Sequence, residues 1–110
     1  MTLPSINTIA KTLGAKRVAQ EALEWTKKHK ILPVLVSDKQ AVDACLKFAD
    51  HHRTLVEPSC GAGLAVIYDN LPVLQEVLKG KKNPTILMIV CGGNAVSLQM
   101  LQDWKQQFNV

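Results

Sequence analysis

The residues with the clearest chemical potential are Cys91, Gly92 and Gly93, which directly follow an apolar run. Residues 85–90 are six apolar or β-branched residues without alternation, a pattern typical of a strand buried on both faces of a parallel sheet. Ligands of open parallel sheets bind at the carboxyl ends of the strands. The thiol of Cys91 is therefore placed where it could touch a bound ligand, and the two glycines allow the backbone to come close. The alternative is an inert core thiol at a strand end.

Other residues of chemically useful types have simpler interpretations. The three cysteines, Cys45, Cys60 and Cys91, form no CxxC pair, which argues against a disulfide framework or a structural zinc site. His51 and His52 are adjacent and would point apart on a helix, so a solvated helix end is favoured over a metal site. Residues 61–63, Gly-Ala-Gly, lack the spacing of a phosphate-binding turn and favour close helix packing.

Charge and hydropathy limit the classes of partner. The net charge is +4, with lysines concentrated at residues 27–30 and 79–82. Nucleic-acid binding is one interpretation, but no aromatic residues interleave the charges, and solubilising lysines are favoured. No apolar stretch approaches the roughly 20 residues of a membrane span, and residues 1–5 lack a signal-peptide pattern. We therefore expect a cytoplasmic protein with no nucleic-acid or membrane partner.

Local signals predict the elements that must position Cys91. Ser5 is a plausible cap for a helix that Gly14 would end, and Ser37 with Gln40 forms a capping box for another. Further helices are predicted over residues 20–29, 59–68, 72–78 and 98–108, the last with Ser97 as its cap, and strands over residues 31–36 and 85–90. The fold class is α/β, in a single segment without a domain boundary. Two strong strands are few for a parallel sheet, so we expect the chain to be part of something larger.

Three motifs carry a resemblance to a known family. Residues 9–15 (IAKTLGA), 55–62 (LVEPSCGA) and 89–94 (IVCGGN) occur in that order. Together they closely resemble the C-terminal part of eukaryotic-type L-serine dehydratase, or serine/threonine ammonia-lyase. That family belongs to the fold type II pyridoxal-phosphate enzymes. The resemblance implies that residues 1–110 are the C-terminal portion of the cofactor-binding large domain. It also implies a partial three-layer, open, mainly parallel sheet flanked by helices, as in tryptophan-synthase-β-like folds.

The resemblance also implies roles for individual residues. Cys91 matches the thiol that faces the pyridine nitrogen of pyridoxal phosphate, and Gly92 follows it in the same loop. Thr12 matches a small residue, often alanine, that packs against the ring face. Glu57 matches the acidic residue of the family's Glu-Pro motif, near the cofactor. Two further positions, Leu13 and Ala15, match residues whose backbone carbonyls help to bind a monovalent cation, usually potassium.

The family's reaction is the deamination of L-serine or L-threonine, which for serine gives pyruvate and ammonia. In the family the Schiff-base lysine and the phosphate-binding glycine loop lie upstream of these motifs, and neither has a counterpart in this sequence. We therefore expect no catalytic residue here and no activity from the chain alone. The expected partners are the amino-acid substrate of the full enzyme and either a homodimer or the missing N-terminal part.

Two other functions remain open from the sequence. The chain could be a non-catalytic truncated paralogue that binds a partner through unpaired strand edges. It could also be an independent nucleotide-binding α/β domain, although the missing glycine-rich turn argues against this.

Overall fold

A computed structural model describes all residues, 1–110, and shows one short turn and five α-helices. The turn is a 3-10 helix over Lys11–Leu13. The helices, in chain order, are α1 (Gln20–Lys28), α2 (Asp38–His52), α3 (Pro58–Tyr68), α4 (Pro72–Leu78) and α5 (Leu98–Phe108). None of the five is both long enough and apolar enough to cross a lipid bilayer.

The helices begin at the signals that the sequence provides. The Ser37 hydroxyl accepts a hydrogen bond from the Gln40 backbone at 3.2 Å, and the Gln40 side chain accepts one from the Ser37 backbone at 2.9 Å. This confirms the predicted capping box of α2. The Ser97 hydroxyl caps α5 by accepting a hydrogen bond from the Met100 backbone N–H. The first residues of α3 and α4 are prolines, whose missing N–H costs nothing at that position.

The core lies where α2, α3 and α5 meet. Its buried members, which are small or aliphatic, are Ala44, Cys45, Val56, Cys60, Leu64, Ala65 and Leu101. A Cβ atom at Gly61 would lie 2.2 Å from the Ala41 carbonyl oxygen and 2.5 Å from the Cys45 sulfur. Only glycine permits this approach of α3 to α2. The prediction that residues 61–63 serve close packing is thus confirmed for Gly61.

The predicted helix before Gly14 is wrong except for its last turn, Lys11–Leu13. The carboxylate of Asp38 accepts hydrogen bonds from the Thr8 hydroxyl and, at 3.2 Å, from the Ile9 backbone. A side chain that accepts such hydrogen bonds competes with the backbone hydrogen bonds of a helix. The chain is therefore fixed to the start of α2 instead of coiling.

Neither predicted strand forms in the structure. Residues 31–36 and 85–91 make no backbone–backbone hydrogen bond and carry no regular secondary structure. The sheet therefore remains a prediction. The physical reason is that a strand needs a neighbouring strand for its backbone hydrogen bonds, whereas the rest of this chain forms helices and loops.

Much apolar surface is left uncovered around these two segments. The accessible surface is 8236 Å², whereas a compact monomer of this mass exposes about 6,000 Å². The radius of gyration is 15.2 Å, against about 13 Å for a compact domain of this length. The most exposed aliphatic side chains include Leu35, Leu87 and Ile89, at 98%, 87% and 72%. The uncovered layer is therefore the one that the sequence predicts as sheet.

Candidate functional site

The Lys11–Leu13 turn is joined to the start of α3 by three side chains. The Thr12 hydroxyl lies 2.5 Å from a carboxylate oxygen of Glu57 and is also hydrogen-bonded to the Ser59 hydroxyl. The Leu13 backbone N–H donates to the same Ser59 oxygen at 3.2 Å. These residues lie more than 40 positions apart in the sequence. The structure thus brings together two of the predicted cofactor-binding residues, Thr12 and Glu57.

Glu57 is available to Thr12 because it does not cap its own helix. It occupies the N-cap position of α3 with an extended backbone, and its side chain accepts no hydrogen bond from the first turn. Pro58 fills the next position and provides no N–H to cap. The carboxylate therefore bonds the Lys11–Leu13 turn, while the backbone N–H of Glu57 bonds a second segment.

That second segment is the loop that contains Gly92. The Gly92 carbonyl accepts a hydrogen bond from the Glu57 backbone N–H at 3.2 Å, and the Cys60 thiol donates to the same oxygen at 3.4 Å. A Cβ atom at Gly93 would lie 2.0 Å from the Leu55 carbonyl oxygen, so the two backbones are in direct contact. The first turn of α3 and the residues before it hold this loop in place.

A cavity opens beside the hydrogen-bonded cluster of Thr12, Glu57 and Ser59, the Thr12 cluster. Its volume is about 220 Å³, and it is lined by Ile9, Lys11, Thr12, Glu57, Pro58, Ser59, Ala95, Met100 and Trp104. Complete small-molecule sites commonly enclose roughly 300–1,000 Å³. The cavity is therefore the size of part of a ligand site, and its lining includes carboxylate and hydroxyl groups as well as Trp104.

Cys91 lies in the loop but not in this cavity. Its side chain is exposed and unpaired, whereas Cys45 and Cys60 are buried. The space beside Gly92 is open, because a Cβ atom there would meet nothing within 4 Å. Within this chain Cys91 is therefore not a core thiol. The backbone link from Gly92 to Glu57 connects Cys91 to the Thr12 cluster.

The two predicted cation-binding residues lie together on the other side of the turn. The Leu13 carbonyl accepts a hydrogen bond from the Ala15 backbone at 3.0 Å, and both residues line a second cavity of about 460 Å³. No group of three or more His, Cys, Asp or Glu side chains comes together anywhere in the chain. The side chains of Asp38 and Thr8 line the same cavity, so carboxylate and hydroxyl oxygens lie there as well as backbone carbonyls.

Sequence reasoning missed the parts of Ser59 and Cys60 in this arrangement. Cys60 is buried in the core, and its thiol also donates a hydrogen bond to the Gly92 carbonyl. Ser59 was given no separate role. One signal was available in the sequence: Ser59 and Cys60 closely follow the predicted site residue Glu57, in the first turn of a helix.

Comparisons with known proteins give the family of this chain. A family model described as "Pyridoxal-phosphate dependent enzyme" matches residues 1–92. The chain is 47% identical to L-serine dehydratase of Dictyostelium discoideum over 96% of this chain and 29% of the relative. It is 40% identical to L-serine dehydratase/L-threonine deaminase of Homo sapiens over 100% of this chain and 34% of the relative.

A solved structure shows the same fold. An L-serine ammonia-lyase from the fungus Rhizomucor miehei superposes with a TM-score of 0.89 and 31% identity, covering 97% of this chain and 34% of that one. The chain belongs to the pyridoxal-phosphate-dependent enzyme family, with a fold of type II, and its predicted resemblance to L-serine dehydratases is confirmed. It spans about a third of the length of the relatives that it matches.

The residues present fit one side of pyridoxal phosphate. The exposed Cys91 thiol, the open space beside Gly92 and the small cavity at Thr12 leave room for a planar group. The polar groups of these residues are a thiol, two hydroxyls and an acceptor carboxylate, which suit contacts to ring atoms and substituents better than to a phosphate dianion. The arrangement is therefore suited to one wall of a cofactor site.

Proposed function

We propose that residues 1–110 are the C-terminal portion of the large domain of an L-serine/L-threonine dehydratase and form one wall of its pyridoxal-phosphate site. The observation that carries the proposal is the meeting of three segments at the start of α3. Thr12, Glu57 and Gly92 come from all three motifs of the resemblance and are joined there by hydrogen bonds. The names of the relatives support the substrate class, L-serine and L-threonine.

Each residue has a distinct part in this proposal. When bound, pyridoxal phosphate would supply an electron-withdrawing ring that stabilises negative charge on the substrate. Cys91 would face the ring nitrogen, and a neutral thiol, unlike a carboxylate, does not hold that nitrogen protonated. Thr12 would pack on the ring face, fixed by Glu57, and Gly92 would let the backbone approach. The carbonyls of Leu13 and Ala15 would contribute to a potassium site next to the same turn.

We further propose that the chain alone does not deaminate serine. Lys11 is the one lysine that lines the cavity at Thr12, and it does not match the family's reactive lysine. The test is to incubate the chain with pyridoxal phosphate, reduce with borohydride and map adducts by mass spectrometry, with Lys11→Arg as the control variant. We expect no stoichiometric adduct at any single lysine. A stoichiometric adduct on Lys11 that is lost in Lys11→Arg would overturn this part of the proposal.

The enzyme function itself is tested in a chimera. The matched C-terminal region of the Dictyostelium discoideum relative is replaced by this chain, and bound pyridoxal phosphate and pyruvate formation from L-serine are measured. We expect both to be retained, and we expect Cys91→Ala to lower kcat/KM by roughly 10-fold through loss of a single hydrogen-bonding group. A folded chimera that binds no cofactor would contradict the proposed function.

A second candidate function is favoured by the uncovered apolar surface. An excess of about 2,000 Å² over a compact monomer is enough for a specific interface. A non-catalytic partner-binding chain, or a homodimer, would cover this surface. Sedimentation of the purified chain tests this. A concentration-dependent dimer with Leu87 protected from exchange supports a self-association role, and a monomer with Leu87 unprotected contradicts it.

The cytoplasm remains the compartment that we propose. All three cysteines are free thiols in the structure, and one of them is exposed, as expected for a reducing environment. Measurement of the thiol state in freshly lysed cells tests this, since an oxidised Cys91 would contradict it.

A further inference from the structure

The Thr12 hydroxyl has two oxygen neighbours and one proton. An ionised carboxylate only accepts hydrogen bonds, so the Thr12 proton is donated to Glu57. Ser59 must then donate its own proton to the Thr12 oxygen. The Ser59 oxygen in turn accepts the Leu13 backbone N–H at 3.2 Å. The proton count therefore defines one directed chain that begins at a backbone amide and ends on a carboxylate.

Such a chain holds a side chain in one rotamer. Successive hydrogen bonds that run in one direction polarise one another, and the last is strengthened by the charge of Glu57. Threonine carries a hydroxyl and a methyl group on the same carbon, so a fixed hydroxyl also fixes the methyl group. With the hydroxyl committed to Glu57 and Ser59, the methyl group is the part of Thr12 left to contact a ligand.

We propose that Ser59 is a positioning residue which, by donating to Thr12, keeps the Thr12 hydroxyl on Glu57 and presents the methyl group to the cofactor face of the site. The assignment of that face rests on the function proposed above. The proposed function is not needed for the position of Thr12 on the turn or for its hydrogen bonds to Ser59 and Glu57. A polar residue can thus occupy a ring-facing position and still offer an apolar contact.

The test uses the full 110-residue chain, labelled for NMR and without cofactor, so that its result is independent of cofactor binding. Three-bond couplings to the Thr12 methyl carbon report the rotamer, and amide exchange reports the Leu13 hydrogen bond. Three variants are compared with the parent: Ser59→Ala removes the hydroxyl, Ser59→Thr keeps it, and Thr12→Val keeps the shape of Thr12 without its hydroxyl.

We expect one Thr12 rotamer in the parent and in Ser59→Thr, and averaged couplings in Ser59→Ala. The Leu13 amide should exchange roughly 3- to 10-fold faster in Ser59→Ala, the loss expected for one hydrogen bond. Adding Ser59→Ala to Thr12→Val should change Leu13 exchange by the same factor as Ser59→Ala alone, because the Leu13 bond ends on Ser59. Amides of the core residues Val42 and Leu101 are internal controls and should not change.

Three results would overturn the proposal. One is a Thr12 rotamer that is the same in Ser59→Ala as in the parent. Another is a parent chain in which the Leu13 amide is unprotected while Val42 and Leu101 are protected. A parent chain in which all three amides exchange freely would also overturn it for this chain, since the hydrogen-bond chain would then not form. None of these results would bear on whether the chimera binds pyridoxal phosphate.

Discussion

The helical core and the apolar segments beside it follow the same sequence rules but reach different outcomes. The facing sides of α2, α3 and α5 pack against one another, and Val42, Cys45 and Leu101 are fully covered. Residues 31–36 and 85–91 are at least as apolar, yet most of their side chains are exposed and they form no ladder. Helices satisfy their backbone locally, whereas strands depend on a neighbour. The difference indicates that the core is self-sufficient and that the second region needs a covering layer.

The largest effect expected concerns a matched pair of leucines, one in each region. Leu101 is fully buried, and Leu87 is 87% exposed. Leu101→Ala should lower the free energy of unfolding by about 2–5 kcal/mol, because it leaves a cavity in the core. Leu87→Ala should change it by less than about 0.5 kcal/mol in the isolated chain. Urea denaturation followed by circular dichroism measures both.

The same pair tests whether a covering layer exists in the larger enzyme. In the chimera, Leu87→Ala should become strongly destabilising, because the chimera restores the covering layer. Equal, small effects in the chain and in the chimera would contradict the account of this region.

A pair of glycines in α3 sharpens the description of the core. A Cβ atom at Gly61 would lie 2.2 Å from the Ala41 carbonyl, whereas one at Gly63 would lie 3.7 Å from the Met88 sulfur, an ordinary contact. Gly61→Ala should destabilise by about 1–3 kcal/mol through overpacking. Gly63→Ala should be neutral or stabilise by up to about 1 kcal/mol, because alanine favours a helix interior. Thermal unfolding compares the two, and equal effects would contradict the close approach of α2 and α3.

The capping box of α2 should have a smaller effect. Ser37→Ala removes the hydroxyl that accepts the Gln40 N–H and should cost about 1 kcal/mol. Ser37→Asp should retain most of the stability, since aspartate is an equally good cap. Urea midpoints for the two variants check this, and a Ser37→Ala midpoint equal to the parent's would show that the cap does not stabilise α2.

The smallest expected effect concerns thiol ionisation. Burial raises the pKa of the Cys45 thiol from 9.0 to about 12, whereas the Cys91 side chain is exposed. At pH 8 iodoacetamide should therefore modify Cys91 rapidly and Cys45 hardly at all, because the thiolate is the reactive form. Peptide mapping over time measures the ratio, and comparable rates at Cys45 and Cys91 would contradict the burial of Cys45.

The same shift predicts a dependence of stability on pH. The folded state retains the Cys45 proton that the unfolded state loses above pH 9, so this contribution is complete below pH 9 and is lost as the pH rises towards 12. The parent should lose more stability than Cys45→Ala between pH 9 and pH 11. Parallel thermal melts measure the difference between the two proteins.

The sequence predicted what depends on local signals. The cap Ser37 and the N-terminal proline Pro72 mark helix starts, because such signals act within one turn. The third helix begins at Pro58, one residue before the predicted start at Ser59. The early helix failed because Asp38, about 30 residues away, takes the Ile9 backbone N–H. No local signal could decide whether the sheet forms, because residues 31–36 and 85–90 need neighbouring strands and this chain forms none.

The candidate site was predictable only in part. Cys91 was singled out by the apolar run before it, whereas Thr12 and Glu57 were named through the resemblance, and the structure joins those two directly. Ser59 and Cys60 were missed because their bonds to Leu13 and Gly92 span 46 and 32 positions, which no local pattern encodes. Long-range hydrogen bonds of this kind follow from how the helices pack.

The central claim, that the Cys91 loop is one wall of a pyridoxal-phosphate site, is tested most directly by the ring nitrogen of the cofactor. The chimera is loaded with pyridoxal phosphate carrying ¹⁵N in the ring, and its chemical shift is recorded for the parent and for Cys91→Asp. The account predicts an unprotonated nitrogen beside the thiol and a protonated one beside the new carboxylate. The same shift in both proteins, with cofactor bound, would contradict it.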